Sequence, residues 1–172
     1  FEVALRAARR VVEREPIVVA PVVPYGMSEH HVSLGGTLTL DYATMKGVMA
    51  CLCDSAIRQG FRRICILNGH GGNIAALETI TTELTIAHRL PLVCATYWQV
   101  APGAIARELD RQSGVLHACE AETSMMLALE RGDIDEDVLP QCRGEAVPGA
   151  SAIPGVNLGV YRWRQIGTRS LN

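Results

Sequence analysis

Residues 61–73, FRRICILNGHGGN, run from an apolar stretch into a turn that holds one histidine among glycines. The block Ile64, Cys65, Ile66, Leu67 lacks polar alternation. It predicts a strand from Arg63 to Leu67 covered on both faces, as parallel sheets require. Gly69, Gly71 and Gly72 are expected to let the backbone turn sharply and come close to whatever His70 touches. Asn73 is the expected N-cap of a helix whose Ile74, Leu77, Ile80 and Leu84 share one face. His70 therefore falls at the carboxyl end of a strand, where open α/β sheets keep their ligands.

The remaining pattern alternates in the same way. A helix is expected over Glu2 to Arg14, stopped by Pro16, then a short buried strand from Ile17 to Ala20. Pro21 to Leu40 reads as a long loop, and loops of that length inside a compact domain usually carry function. A helix from Asp41 to about Gly60 follows, with the stripe Met45, Val48, Met49, Leu52 and Ala56 and with Gly60 as its C′ residue. The helix after Asn73 runs to about Arg89, and Pro91 to Tyr97 is a second buried strand. Ala104 to Arg111 looks helical and is broken at Ser113-Gly114, and His117 then leads into a helix that ends near Glu130. An acidic turn (Gly132 to Val138) and one strand at Val160 to Arg164 complete the reading. Strands alternating with helices imply right-handed crossovers, so the expected class is α/β: a three-layer α/β/α sandwich with a mostly parallel sheet.

Several function classes drop out. A net charge of -2 without a basic cluster argues against nucleic acid. The apolar run Ile17 to Pro24 is too short to span a bilayer and contains proline, so no membrane partner is expected. No signal peptide is visible, although the first residue is Phe1 rather than Met. The six cysteines are expected to be buried free thiols of a reducing cytoplasm. No GxGxxG or GxxxxGK[ST] follows a strand, which leaves nucleotide-phosphate binding unsupported. With no GxSxG elbow and no cysteine in a nucleophile context, water activated by a metal is a more economical hydrolytic mechanism than covalent catalysis.

Three groups of residues carry the remaining chemistry. His70 reads as a structural histidine, a metal ligand or a catalytic base, and the uncrowding glycines favour the last two. His117 and Glu122 form a second group with Glu120 and Ser124 beside them. Glu122 precedes Met125, Met126 and Leu129, so its face should point inward, where a carboxylate needs a cation or a hydrogen-bond network. Glu120 is assigned the capping duty that acids favour in a first turn. The third group is Glu29, His30, His31 and Asp41. Asp41 is the expected N-cap of its helix, and His31 stays open as a substrate contact, a neighbouring-subunit contact or a ligand.

These residues fall in blocks that resemble the creatininase family, which includes creatinine amidohydrolase, formamide hydrolases and a mycofactocin-maturation peptidase. PYGMSEHHVSLGGTLTL is similar to the family's YG-x-S-x-x-H block, GFRRICILNGHGGN to its strand and turn, and HACEAETSMMLAL to its HAGExETS block, with Cys119 where glycine is usual. The resemblance implies a dinuclear site at the carboxyl ends of a parallel sheet, with two divalent ions (zinc, manganese or iron) per subunit of a homo-oligomer, often a hexamer. It implies His70 and Glu122 as metal ligands, since Gly72 stands where creatininase itself has a glutamate. It implies His117 as the acid/base on the scissile amide, with His31, Gly71, Gly72 and Asn73 toward the substrate.

The family's N-terminal E-x-H-G-x-H-L-P and T-D block is not found ahead of Phe1, nor its Gly-rich GDP-type segment at the other end. The expectation is a single creatininase-like domain over 1–172, truncated at both ends. The implied activity is hydrolysis of a cyclic amide or formamide, and the small-molecule amide is the expected partner. A peptidase trimming a modified peptide and a non-catalytic binding or assembly subunit are the rivals. Creatinine itself is disfavoured by Gly72 and by the lack of a tryptophan just before His117, Trp98 being the nearby aromatic.

Overall fold

The computed structural model of the chain describes residues 1–112, 114–115 and 117–141. The strand expected at Val160 to Arg164, and Cys142, lie outside them. The chain divides into two compact units, one of residues 1–27 and 41–95, the other of residues 28–40 and the chain from Thr96 on.

The first unit begins with α1 (Glu2–Val11), which ends before the Arg14 of the sequence reading. The strand expected over Ile17 to Ala20 is not formed. Val18 is 73% exposed, and prolines at 16 and 21 bracket the run, which has no ladder partner among the described residues. α2 (Tyr42–Arg58) starts where Asp41 accepts a hydrogen bond from the Thr44 N–H at 2.7 Å. It ends in a Schellman motif: Gly60 has φ 97°, its N–H donates to the Ile57 carbonyl, and the Phe61 N–H donates to that of Ala56. Both ends match the sequence reading. Its stripe matches except at Leu52, with Val48 and Ala56 half-buried as well. Met45, Met49 and Cys53 face inward at a strict four-residue spacing, and Leu52 is 52% exposed.

β1 (Ile64–Asn68) runs one residue further than expected and pairs in parallel with β2 (Leu92–Thr96) through α3 (Ile74–His88). Cover on both faces is not observed, because half-buried Ile64 and Ile66 alternate with exposed Cys65 and Leu67. Among the described residues the sheet has two strands, so β1 keeps one covered face. α3 buries Ala76, Leu77, Ile80 and Leu84 and packs on α2, where the half-exposed Lys46 and Glu83 pair at 2.6 Å. A pair this exposed adds at most about 1 kcal/mol, so apolar burial holds the two helices.

In the second unit, residues 29–34 form a 3-10 turn closed by Gly35 and Gly36, both in the left-handed region. Ser28 N–H donates to Thr39 Oγ1 at 2.8 Å and ties the segment's ends together. Then come α4 (Tyr97–Val100), α5 (Pro102–Glu108) and α6 (Glu120–Leu129). α5 starts and stops earlier than the expected Ala104 to Arg111, because Pro102 suits a first helical position. Among the described residues no helix is long and apolar enough to cross a membrane.

Candidate functional site

In the first unit, the last residue of β1 builds the histidine turn. Asn68 is 3% exposed, its Nδ2 donates to the His70 carbonyl at 2.9 Å, and its Oδ1 accepts from the His70 N–H at 3.1 Å. His70 is left extended (φ -139°, ψ 128°) at the start of a 3-10 turn, Gly71–Asn73. Asn73 occupies the N-cap position of α3, but its side chain caps nothing there. Its Oδ1 accepts from the Met27 N–H at 2.8 Å, and its Nδ2 donates to Asn68 Oδ1 at 3.4 Å. The expected cap is thus a cross-link between the turn and the loop that precedes residue 28. Sequence reasoning missed Asn68 and Gly26. The paired asparagines that bracket GHGG were the available signal.

The glycines act differently from expectation. Gly69, Gly71 and Gly72 do not take positive φ. A Cβ at Gly69 or Gly71 would meet nothing within 4 Å, so these residues leave open space beside His70. Gly26 is the glycine that sterics require, since a Cβ there would lie 2.6 Å from Asn73 Oδ1.

In the second unit the structure brings His31 to His117, with ring centroids 4.1 Å apart and planes 27° from parallel. His30 stands beside His31 at 4.1 Å with its ring tilted by 60°, and burial pushes its pKa below the usual imidazole value. After His117 the backbone kinks at Ala118, a non-glycine residue at φ 46°. It then enters α6 at Cys119, which is fully buried. Cys119 has φ -90°, so a side chain replaces the usual glycine without strain.

The carboxylate of Glu120 does not cap α6, the duty expected of it. The Ala118 and Cys119 amides near Glu122 favour its ionised form. Glu120 instead accepts from the N–H groups of Asp110, Arg111 and Gln112 at 2.6, 3.0 and 2.8 Å, which hold its carboxyl below the usual range. Burial is the main influence on Glu122 and raises its pKa despite those two amides. It shares a half-buried face with Met125 and Leu129, whereas Met126 turns outward. Burial, with Glu122 and Cys119 nearby, pushes the Tyr97 phenol up to about 12, and Trp98 meets the Tyr97 ring edge-on at 4.9 Å.

The other candidates take structural parts. Asp41 is committed to its cap. Cys51 is exposed and Cys53 buried, so the two thiols point apart; Cys65 is exposed as well, against the expectation of burial.

Residues 2–167 match the creatininase (creatinine amidohydrolase) family. The chain belongs to the creatininase family. Creatinine amidohydrolase of Pseudomonas putida is 30% identical over 145 residues, 75% of this chain and 56% of that protein. Mycofactocin precursor peptide peptidase of Mycobacterium ulcerans is 27% identical over 165 residues, 91% of this chain and 57% of that protein. The chain thus spans little more than half the length of these relatives. A crystal structure of creatinine amidohydrolase superposes with a TM-score of 0.66 at 27% identity, covering 96% of this chain and 69% of that one. A creatininase structure designated Mn gives 0.64 at 27% identity over 96% and 70%. The creatininase-like α/β fold read from the sequence is therefore the fold of this chain.

The donor chemistry fits the divalent cation that the family implies. Neutral imidazole and carboxylate suit zinc, manganese or iron, and this chain offers both, in His70 and in Glu122. Glu122, held above its ordinary pKa by burial, is a carboxylate whose ionised form a cation would favour.

Proposed function

We propose that the intact protein is a metal-dependent hydrolase that cleaves a non-peptide C–N bond, in a cyclic amide or a formamide. The observation that carries this reading is the family match over residues 2–167, which runs through both histidine-bearing segments, NGHGGN and HACEAETS. His70 and Glu122 are the proposed ligands from this chain for a site of two ions per subunit. Bound there, divalent ions supply Lewis-acid polarisation of the amide carbonyl and a more acidic water. His117 passes a proton to the leaving nitrogen, and the His31 ring stacked on it restricts its orientation. His31, Gly71 and Gly72 face the substrate, with Asn73 acting from behind through its bonds to Met27 and Asn68.

A homo-oligomer, up to a hexamer, in the cytoplasm belongs to the same proposal. The five free thiols of the described residues support the reducing setting. A second reading, a peptidase acting on a modified peptide, is favoured by the greater share of the chain aligned to the mycofactocin peptidase. The test is turnover of creatinine, formamides and short peptides by metal-loaded full-length protein. Hydrolysis of one class that stops on chelation and returns with manganese or zinc is the expected result. No hydrolysis and no bound metal would overturn both readings.

A further inference from the structure

We propose that Glu120 is a positioning residue for His117, a role that rests on the proton-transfer duty given to His117 above. The three successive N–H groups of Asp110, Arg111 and Gln112 converge on its carboxylate at 2.6, 3.0 and 2.8 Å. In return Gln112 Oε1 accepts from the Glu120 N–H at 3.0 Å. Successive backbone amides of this kind form an anion-binding concavity, filled here by the protein's own side chain.

The geometry makes the contact a clasp rather than a cap. An acid in a first helical turn ordinarily serves its own helix. Glu120 reaches away from α6 to chain ten positions earlier, and His117 lies inside the loop so closed. On the far side of His117, the left-handed Ala118 and the fully buried Cys119 fix the backbone. A histidine held from both sides gives up little conformational freedom when it reacts.

The experiment compares full-length, metal-loaded wild type with Glu120→Ala and Glu120→Gln by hydrogen exchange, by His117 ring NMR and by kinetics. The 110–112 amides lose protection in Glu120→Ala, the His117 ring signal shifts or broadens, and α3 amides keep their protection. With the substrate found for the wild type, kcat falls about 10- to 100-fold while KM stays within about twofold, the signature of a misplaced group. Glu120→Gln, which keeps one acceptor oxygen, recovers part of both effects. Unchanged 110–112 exchange would overturn the clasp. An unmoved His117 signal, or a rise in KM at constant kcat, would overturn the positioning role. The exchange and NMR results read the clasp even if the hydrolase reading fails.

Discussion

Asn68 and His70 are bound to each other twice, through the His70 carbonyl at 2.9 Å and the His70 N–H at 3.1 Å, both on the one Asn68 side chain. The strand therefore hands its direction to the histidine through an amide rather than through glycine flexibility. Because Asn68 is buried, Asn68→Ala strands both groups and is expected to destabilise by about 1–3 kcal/mol. Metal retained after gel filtration should fall with it, as measured by mass spectrometry alongside the melting temperature. Full stability with full metal content would show that the turn holds itself.

Gly26 and Gly47 make opposite predictions. Alanine at 26 would drive a Cβ to 2.6 Å from Asn73 Oδ1 and displace the link to Met27, destabilising by about 1–3 kcal/mol. Gly47 lies inside α2 with nothing within 4 Å of its would-be Cβ, so Gly47→Ala stabilises by about 0.5–1 kcal/mol. Urea denaturation of the two variants checks both signs.

Core contributions should follow the observed burial, which agrees with the sequence reading at Ile80 and departs from it at Leu52. Ile80 is 0% exposed, and Ile80→Ala should cost about 2–5 kcal/mol. Leu52→Ala, at a position 52% exposed, should cost less than about 1 kcal/mol by the same denaturation assay.

The Tyr97 phenol, raised to about 12, holds its proton more tightly folded than unfolded. Its contribution to stability is thus complete below the ordinary tyrosine value near 10 and is lost as pH rises toward about 12. In a near-ultraviolet absorbance titration of metal-free protein, a tyrosine component should ionise near pH 12, and Tyr97→Phe should remove that component. Loss of the component at ordinary pH in the wild type would contradict the burial.

The sequence made the local pieces legible where chemistry and period agree. Asp41, Gly60 and the Leu77, Ile80, Leu84 face are each specified by neighbours a few positions away. The misses are questions of partners. The apolar run at 17–20 is as strand-like as β1 but pairs with no strand among the described residues, and periodicity does not report pairing. The bonds of Glu120 to the 110–112 amides lie outside the rule that assigns a first-turn acid to its own helix, and Ala118 is a residue type that does not announce a left-handed backbone. Residues 68 and 73 were both visible as asparagines, yet only the folded turn shows that they bond each other and His70.

The role of His117 is tested most directly by the kcat of metal-saturated, full-length His117→Ala on the amide that the wild type hydrolyses. Loss of a group that moves a proton in the transition state predicts a fall of about 100- to 10,000-fold, with metal content unchanged. Turnover equal to wild type would contradict the account.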